Sequence, residues 1–412
     1  MKVVLADFIR DTPAGEEAAD ILGRCVHCGF CNAVCPTYQL LGDERDGPRG
    51  RIYLIKSALE GHQVSARTQQ HLDRCLTCLA CEANCPSGVE YHRLLAIGRQ
   101  VVDLAVPRRA GEAWLRRILC TVVPRPRLFA ALTRVGRLVR PLLPAMLAGK
   151  LPMAAPANRL PHPVPGRHSR RMLLLSGCAQ PTLAPNINAA TGRVLDRLGV
   201  ECVEIARAGC CGAVQHHLGD QEGACADARR NIDAWWPEIE SGAEAIIVTA
   251  SGCTVHVRDY GHLLAHDPDY AAKASRIAAL ARDPVEVLLD EGDGLLTSLE
   301  ARRTRRGRLA FHVSCTLQHG LKAGGKVEAF LRAAGFELMA VADGHLCCGS
   351  AGAYALLQPQ IANQLRERKQ IALMAGRPLR IATANVGCLN HLQAISAVPV
   401  VHWIELIDEV LK

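Results

Sequence analysis

The sequence predicts an α+β protein of several domains, with a mainly helical N-terminal part followed by two repeated α/β units. Three observations lead to this prediction. The chain has 412 residues, which is more than one hydrophobic core usually serves. A run of four cysteines occurs twice near the N-terminus, fifty residues apart. Beyond residue 170, short apolar strands alternate with helices, and this order of elements repeats after 137 residues.

The N-terminal part contains two cysteine runs of one form, C-x2-C-x2-C-x3-C-P. A short helical lead-in is predicted over 1–24, with a helix start near Asp11, Thr12 and Pro13, and further helices are predicted at 49–60, 68–73 and 91–104. In bacterial two-cluster ferredoxins, three cysteines of such a run bind one [4Fe–4S] cluster and the fourth binds the other. We therefore assign the first cluster to Cys25, Cys28, Cys31 and Cys85. The second cluster is assigned to Cys35, Cys75, Cys78 and Cys81.

Two structural zinc sites are the alternative for these runs. Zinc sites typically use separate C-x2-C pairs rather than a triplet followed by Cys-Pro, which favours the clusters. Arg24 and Arg74 precede the two runs at equivalent positions. They could tune reduction potentials through charge or hydrogen bonds to sulfur, or be ordinary surface residues. His27 is predicted to be an exposed loop residue rather than a ligand.

A basic segment follows the second run. Residues 104–171 carry fourteen Lys or Arg and one acidic residue, a net charge of +13, whereas the rest of the chain sums to −5. Apolar residues recur at helical spacing over 128–146, with arginines opposite them, and Pro141 and Pro144 interrupt the pattern. This amphipathic helix could lie on an anionic membrane surface, or pack its apolar side on the protein's own core. Residues 152–171 are predicted to be a linker.

The C-terminal part is predicted to be an internal duplication of an α/β unit. Each unit has a cysteine after its first strand, a Cys-Cys-Gly after its second and a cysteine closing its third. Because open α/β sheets place their sites at the carboxyl ends of strands, we expect each set to gather there. The two sets are Cys178, Cys210, Cys211 and Cys253, and Cys315, Cys347, Cys348 and Cys388. The expected domains are 1–103, 104–170, 171–306 and 307–412.

Several features are expected to be absent. No signal peptide is predicted, and no apolar run is long enough to span a membrane, so a reducing cytoplasm is the expected setting. Neither a dinucleotide fingerprint nor a P-loop occurs, so no FAD or NAD is expected on this chain. An aromatic content of 4% gives little support for stacking on nucleic acid. A chain with electron carriers and no hydride acceptor is expected to be one subunit of a larger enzyme, without catalytic residues of its own.

Two ferredoxin-type runs followed by two CCG units resemble the glycolate oxidase iron–sulfur subunit family. The resemblance extends from about residue 20 to the C-terminus and includes Ser251-Gly252-Cys253 and the stretch 385–391. It implies an electron-transfer subunit of a flavin-dependent glycolate dehydrogenase. The implied partners are an FAD-containing dehydrogenase subunit, a second flavin-type subunit and a quinone-type acceptor. Peripheral contact with the inner face of the cell membrane is a further expectation.

The CCG units also resemble the B subunit of heterodisulfide reductases, with one departure. There the motif closes with C-x2-C, whereas here it closes with C-x2-H, at His256 and His391. A five-cysteine cluster in each half is therefore not expected. Three interpretations stay open: a metal in each half with or without the histidine, one further cubane cluster shared by the halves, or a structural site such as Cys3His zinc.

Other functions stay open as well. Related iron–sulfur subunits serve lactate and glycerol-3-phosphate dehydrogenases, and the CCG units could themselves reduce a disulfide or a quinone. A cluster-containing structural or regulatory protein that moves no electrons is a further alternative. The remaining cysteines have no counterpart in the repeats and are predicted to be small buried hydrophobes; they are Cys120, Cys202 and Cys225.

Overall fold

A computed structural model of the chain describes residues 1–140, 166–291, 293–302 and 304–412. The predicted fold class is confirmed: a helical N-terminal part precedes two α/β units, each with a four-stranded parallel sheet. The end of the predicted amphipathic helix, its two prolines and most of the predicted linker lie outside the described residues.

The N-terminal part is a bundle of short helices around the two cysteine runs. The first helix begins where Thr12 accepts a hydrogen bond from the backbone N–H of Gly15, with Pro13 at the first helical position. Two longer helices pack closely at Gly98, where an added Cβ would lie 2.5 Å from Ile55. The helices are α1 Pro13–Arg24, α2 Phe30–Ala33, α3 Pro36–Leu41, α4 Pro48–Leu59, α5 Ala66–Asp73, α6 Ala80–Ala83 and α7 Tyr91–Ala105, with a 3₁₀ turn at Glu44–Asp46.

Two helices follow in the basic segment, α8 Ala110–Val122 and α9 Pro126–Val139. Part of the positive charge is neutralised internally, because Arg108 and Arg116 both pair with Asp73, at 2.6 and 3.1 Å. Helix α9 does not bury its apolar side against the described part of the chain. Leu132 and Leu138 are 48% and 79% exposed there. None of the described helices is long and apolar enough to cross a membrane.

The first α/β unit has the strand order β2-β1-β3-β4, all parallel. Its strands are β1 Arg170–Leu174, β2 Val200–Glu204, β3 Ile246–Ile247 and β4 Ala281–Arg282. Its helices are α10 Gln180–Leu183, α11 Asn186–Asp196, α12 Ala213–Leu218, α13 Gln221–Glu240, α14 Ser251–Arg258, α15 Tyr260–Leu263, α16 Ala271–Leu280, α17 Pro284–Asp290 and α18 Asp293–Ala301.

The second unit repeats this order as β6-β5-β7-β8. Its strands are β5 Arg308–His312, β6 Glu337–Met339, β7 Arg380–Thr383 and β8 Val400–His402. Its helices are α19 Lys326–Ala333, α20 Tyr354–Leu357, α21 Pro359–Met374, α22 Val386–Gln393 and α23 Trp403–Leu411, with a π-helical turn at Thr316–Gly320.

The two units share one hydrophobic core, to which both sheets contribute. Met172 and Leu174 of β1 lie in the same cluster of buried side chains as Leu309 and Phe311 of β5. An ion pair of 2.7 Å between Arg193 and Asp408 also joins the units. The duplicated halves are therefore packed face to face rather than held apart by a linker.

One detail of the predicted α/β units is wrong, because the third strand of each unit does not reach its closing cysteine. These strands end earlier, at Ile247 and Thr383. Helices begin at Ser251 and Val386 instead, so that the closing cysteines lie in the first turn of a helix. Apolar residues at a strand end and a following helix start look alike in sequence.

Candidate metal centres

Cysteines from both runs surround each of two adjacent cavities in the N-terminal part. The first cavity is lined by three cysteines of the first run, Cys25, Cys28 and Cys31, and by Cys81 and Cys85 of the second. The second is lined by three of the second run and one of the first, Cys35, Cys75, Cys78 and Cys81. Cys81, Pro48 and Tyr91 line both cavities, so only a shared wall separates them.

The two loops have the same backbone shape. His27 and Gly29 in the first run, and Thr77 and Leu79 in the second, all have positive φ, between 51° and 89°. Each loop then enters a single helical turn, α2 or α6, that carries the third cysteine. A left-handed conformation costs a non-glycine residue about 1–2 kcal/mol. The loops therefore keep a strained shape that turns their sulfur atoms towards one point.

The buried thiols of these cavities do not ionise readily. Burial, together with nearby Cys25, raises the pKa of Cys31 to about 11. Burial also raises the pKa values of Cys78 and Cys81 well above the ordinary thiol value. Thiolates form in such a place when a metal supplies positive charge, so four converging cysteines in an apolar wall fit a [4Fe–4S] cluster.

The two arginines that precede the cysteine runs form ion pairs with acidic side chains. Arg24 pairs with Asp20 and Glu90 at 2.7 and 2.9 Å, and Arg74 pairs with the buried Asp46 at 2.9 Å. Their predicted role as donors to sulfur has no support in these contacts. His27 is half-buried rather than exposed, and its Nε2 lies 3.2 Å from the carbonyl oxygen of Arg49.

Asp46 lies at the centre of a buried network behind the second cavity. Its carboxylate is 2.9 Å from His71 Nδ1 and 3.7 Å from Arg51. Its carbonyl oxygen accepts a 2.7 Å hydrogen bond from the hydroxyl of Thr37, and that hydroxyl lies 3.3 Å from the sulfur of Cys35. The network fixes the one cysteine that the first run contributes to this cavity.

The first α/β unit brings its four cysteines together at the carboxyl ends of β1, β2 and β3. Cys210 and Cys211 are fully buried, and their carbonyl oxygens accept hydrogen bonds from Asn231 and Tyr260. Hydrogen bonding with Cys210, followed by burial, raises the pKa of Cys178 well above the ordinary thiol value. The remaining member of the set, Cys253, interacts with Cys211.

Three histidines stand beside this first set. The ring centres of His216 and His256 are 5.2 Å apart, and those of His217 and His256 are 6.4 Å apart. His256 Nε2 is buried without a hydrogen-bond partner. Burial lowers the pKa of His217 to about 3, so its ring is neutral at ordinary pH. His256, from the C-x2-H closure, is therefore available as a ligand.

The second α/β unit gathers its cysteines at the equivalent sheet edge. The sulfur atoms of Cys315 and Cys347 are 3.9 Å apart. Ligand atoms of Cys348, Cys388 and His312 lie within 4.8 Å of one another. His391, the predicted histidine of this half, instead faces the carbonyl oxygen of Ala362 at 3.3 Å.

The sequence analysis missed His312. The signal was present, because aligning the two repeats places His312 opposite Leu175, three residues before the first cysteine of each set. It also missed Lys369, a buried lysine of α21 whose Nζ donates to the carbonyl oxygen of Asp343 at 2.7 Å.

The second set of CCG cysteines adjoins the second ferredoxin-type cavity. Cys78 and Leu76 pack in one apolar cluster with Cys315 and Cys347. The hydroxyl of Tyr354 donates to the carbonyl oxygen of Arg74 in the same region, at 3.1 Å. The sulfur-rich sites of the molecule therefore form a continuous series from the first cavity to the second α/β unit.

A further cavity lies between the N-terminal helices and the first α/β unit. His92, Arg99, His216 and His217 are among the residues that line it. This cavity could not be predicted from the sequence, because its walls come from segments that are distant along the chain. The cysteines outside the repeats, Cys120, Cys202 and Cys225, are only partly buried rather than buried as predicted. Cys202 and Cys225 pack against hydrophobic clusters.

Comparison with known proteins agrees with this arrangement. A family model described as a 4Fe-4S dicluster domain matches residues 21–89. One described as a cysteine-rich domain matches residues 172–258 and 309–393.

Three relatives illustrate the range of similarity. The glycolate oxidase iron–sulfur subunit of Escherichia coli (strain K12) is 55% identical over 412 residues, and the match covers both chains completely. A probable glycolate oxidase iron–sulfur subunit of Bacillus subtilis (strain 168) is 29% identical, over 95% of this chain and 92% of its own. Lactate utilization protein A of Bacillus velezensis is 27% identical, over 54% of this chain and 90% of its own. Because the chain is 55% identical to the first of these relatives over the full length of both, it belongs to the glycolate oxidase iron–sulfur subunit family.

Proposed function

We propose that this chain is the electron-transfer subunit of a flavin-dependent glycolate dehydrogenase complex. A separate FAD-containing subunit would oxidise glycolate to glyoxylate, with a second flavin-type subunit in the complex. This chain would carry the electrons towards a quinone-type acceptor. The observation that supports the proposal most directly is the pair of adjacent cavities, each lined by three cysteines of one run together with the fourth cysteine of the other.

The ligand sets follow from this crossed arrangement. We propose Cys25, Cys28, Cys31 and Cys85 as ligands of one [4Fe–4S] cluster, and Cys35, Cys75, Cys78 and Cys81 as ligands of the other. Such clusters, when bound, exchange single electrons, which suits transfer from a reduced flavin. The wall made by Cys81, Pro48 and Tyr91 keeps the two sites adjacent. Tyr91 is buried, and burial raises its pKa well above the usual phenol value, so it stays uncharged in that wall.

The two α/β units support the N-terminal part, which would carry the two clusters. We propose that they hold a further metal or cluster, which would adjoin the second cluster because the second set of CCG cysteines packs against Cys78. Cys178, Cys210, Cys211 and Cys253 are candidate ligands in the first unit, with His256 beside them. Cys315, Cys347, Cys348 and Cys388 are candidates in the second. The proposed domain limits are 1–103, 104–170, 171–306 and 307–412.

Purification of the chain from its native cell tests the proposed complex. A tagged full-length chain is isolated under mild, oxygen-free conditions, and bound proteins and flavin are identified. We expect a flavoprotein at fixed ratio, and bleaching of the cluster absorption when glycolate is added. Bleaching by lactate or glycerol 3-phosphate but not by glycolate would transfer the proposal to a related dehydrogenase. A monomer without flavin, whose clusters respond to none of the three, would contradict the proposal.

A further inference from the structure

A buried cluster of metal-ligand side chains lies in the second α/β unit, apart from both ferredoxin-type cavities. It consists of His312, Cys348 and Cys388, all of them buried, with one ligand atom of each within 4.8 Å of the other two. His312 ends strand β5, Cys348 belongs to the Cys-Cys-Gly loop, and Cys388 lies in the first turn of α22. Three separate elements therefore converge on one point.

His312 has no other role in the fold. Its side chain is 1% exposed, and neither ring nitrogen has a hydrogen-bond partner. Leaving a buried polar group unpaired costs about 1–3 kcal/mol. Two neighbouring histidines of the same unit avoid this cost, because His319 and His391 face the carbonyl oxygens of His345 and Ala362. An unpaired imidazole beside two thiols offers three ligand atoms to one metal ion.

The spacing of the ligand atoms suits a single ion. Around a tetrahedral ion with metal–sulfur bonds of about 2.3 Å, two sulfur ligands lie roughly 3.8 Å apart. In a cubane cluster each thiolate binds a different iron, so the sulfur ligands lie farther apart than this. Two thiolates and an imidazole select zinc or ferrous iron over magnesium or calcium, which prefer oxygen ligands.

The surroundings of the cluster differ from those of the first unit. Leu175 occupies the position equivalent to His312 and packs in an apolar cluster, so the first unit lacks this ligand. The ammonium group of Lys369 lies near Cys348 and offsets the negative charge of thiolates. Thr383 is directly opposite His312 in the strand register, and its hydroxyl is also buried without a partner.

We propose that the second α/β unit binds one divalent ion, zinc or ferrous iron, through His312, Cys348 and Cys388. The ion ties strand β5, the Cys-Cys-Gly loop and helix α22 together at the sheet edge that faces the second ferredoxin-type cavity. The first unit does not form an equivalent site with this ligand set. This inference does not depend on the identity of the flavoprotein partner.

Metal analysis of the full-length chain, purified without oxygen, tests the site. The two clusters account for about eight irons per chain. We expect one further equivalent of zinc or iron in the unmodified protein, and its loss in His312→Ala with the cluster absorption unchanged. His319→Ala is the matched control, because His319 is a buried histidine of the same unit that faces a carbonyl oxygen. It should keep the additional ion.

His312→Cys gives a second, independent reading if the alanine variant does not fold. A thiolate in place of the imidazole should retain the ion, and X-ray absorption at the edge of that metal should count one more sulfur neighbour. An unmodified protein with no metal beyond the clusters would overturn the proposal. Three results on the variants would also overturn it. These are a His312→Ala protein that keeps the additional ion, a His312→Cys protein whose ion has the same number of sulfur neighbours as before, and a His312→Ala protein that loses several irons at once.

Discussion

Asp283 is a buried carboxyl group whose ionisation opposes folding. One of its oxygens accepts a hydrogen bond from the N–H of Val285 at the start of α17, while the other is buried without a partner. Burial raises the pKa of Asp283 to about 7, despite that hydrogen bond. The folded state therefore keeps a proton that the unfolded chain releases near pH 4. Stability is consequently lost as pH rises from about 4 to about 7.

Replacing Asp283 with Asn should remove this pH dependence while keeping a capping side chain. We expect the thermal midpoints of the two proteins to be similar near pH 4. By pH 7 the Asn variant should be more stable by a few kcal/mol, because it carries no charge to bury. The measurement is thermal unfolding between pH 4 and 7 under oxygen-free conditions. Parallel pH curves for the two proteins would contradict the raised pKa.

At the scale of elements, the proposed ligand sets would hold the two cysteine runs together, because the fourth cysteine of each run would bind the cluster of the other. This crossed ligation predicts different effects for two pairs of substitutions. Cys28→Ser with Cys35→Ser removes one ligand from each cluster in the crossed arrangement, so both clusters should be damaged. Cys28→Ser with Cys85→Ser removes two ligands of the same cluster, so about four irons should remain.

The same two double variants distinguish the crossed arrangement from one in which each run binds its own cluster. There Cys28 and Cys35 would share a cluster, so their joint loss would leave the other one intact. Iron content and the EPR signal of the reduced protein are the measurements. Four irons retained in the Cys28/Cys35 pair, with none retained in the Cys28/Cys85 pair, would refute the crossed assignment.

At the scale of the whole molecule, helix α9 presents both apolar and basic side chains on the outside of the described structure. Leu132 and Leu138 are exposed, and Arg134 and Arg140 are exposed as well. We propose that this segment attaches the complex to the anionic inner face of the cell membrane. Changing Arg134, Arg137 and Arg140 to Gln should lower recovery in the membrane fraction several-fold at low salt. This difference should shrink as the salt concentration rises, because salt screens the attraction between the arginines of the unmodified protein and the anionic lipids.

A variant with the same loss of charge elsewhere controls for net charge. Arg276, Lys322 and Lys326 are exposed residues of the α/β units, and their change to Gln removes three positive charges away from α9. Membrane recovery should be unaffected in this control. Equal recovery of both triple variants and the unmodified protein would argue against a membrane role for the segment.

The sequence by itself determined the features that depend on local spacing and on repetition. The form of the two cysteine runs predicted two clusters, and the offset of 137 residues predicted the duplicated α/β units. Strand and helix types followed from periodicity, except where an apolar strand end ran into a helix start at Ser251 and Val386. Such boundaries depend on where the sheet ends, which is a property of neighbouring strands.

Only the tertiary structure decided which side chains meet. Nothing in the sequence places the second CCG set against Cys78, because the contact joins segments more than two hundred residues apart. His391 stands in the repeated C-x2-H pattern yet faces a backbone carbonyl, whereas His312 lies outside that pattern and stands between two thiols. A ligand is defined by distance and by the lack of any other partner, and both quantities arise only when the sheet edge, loop and helix pack together.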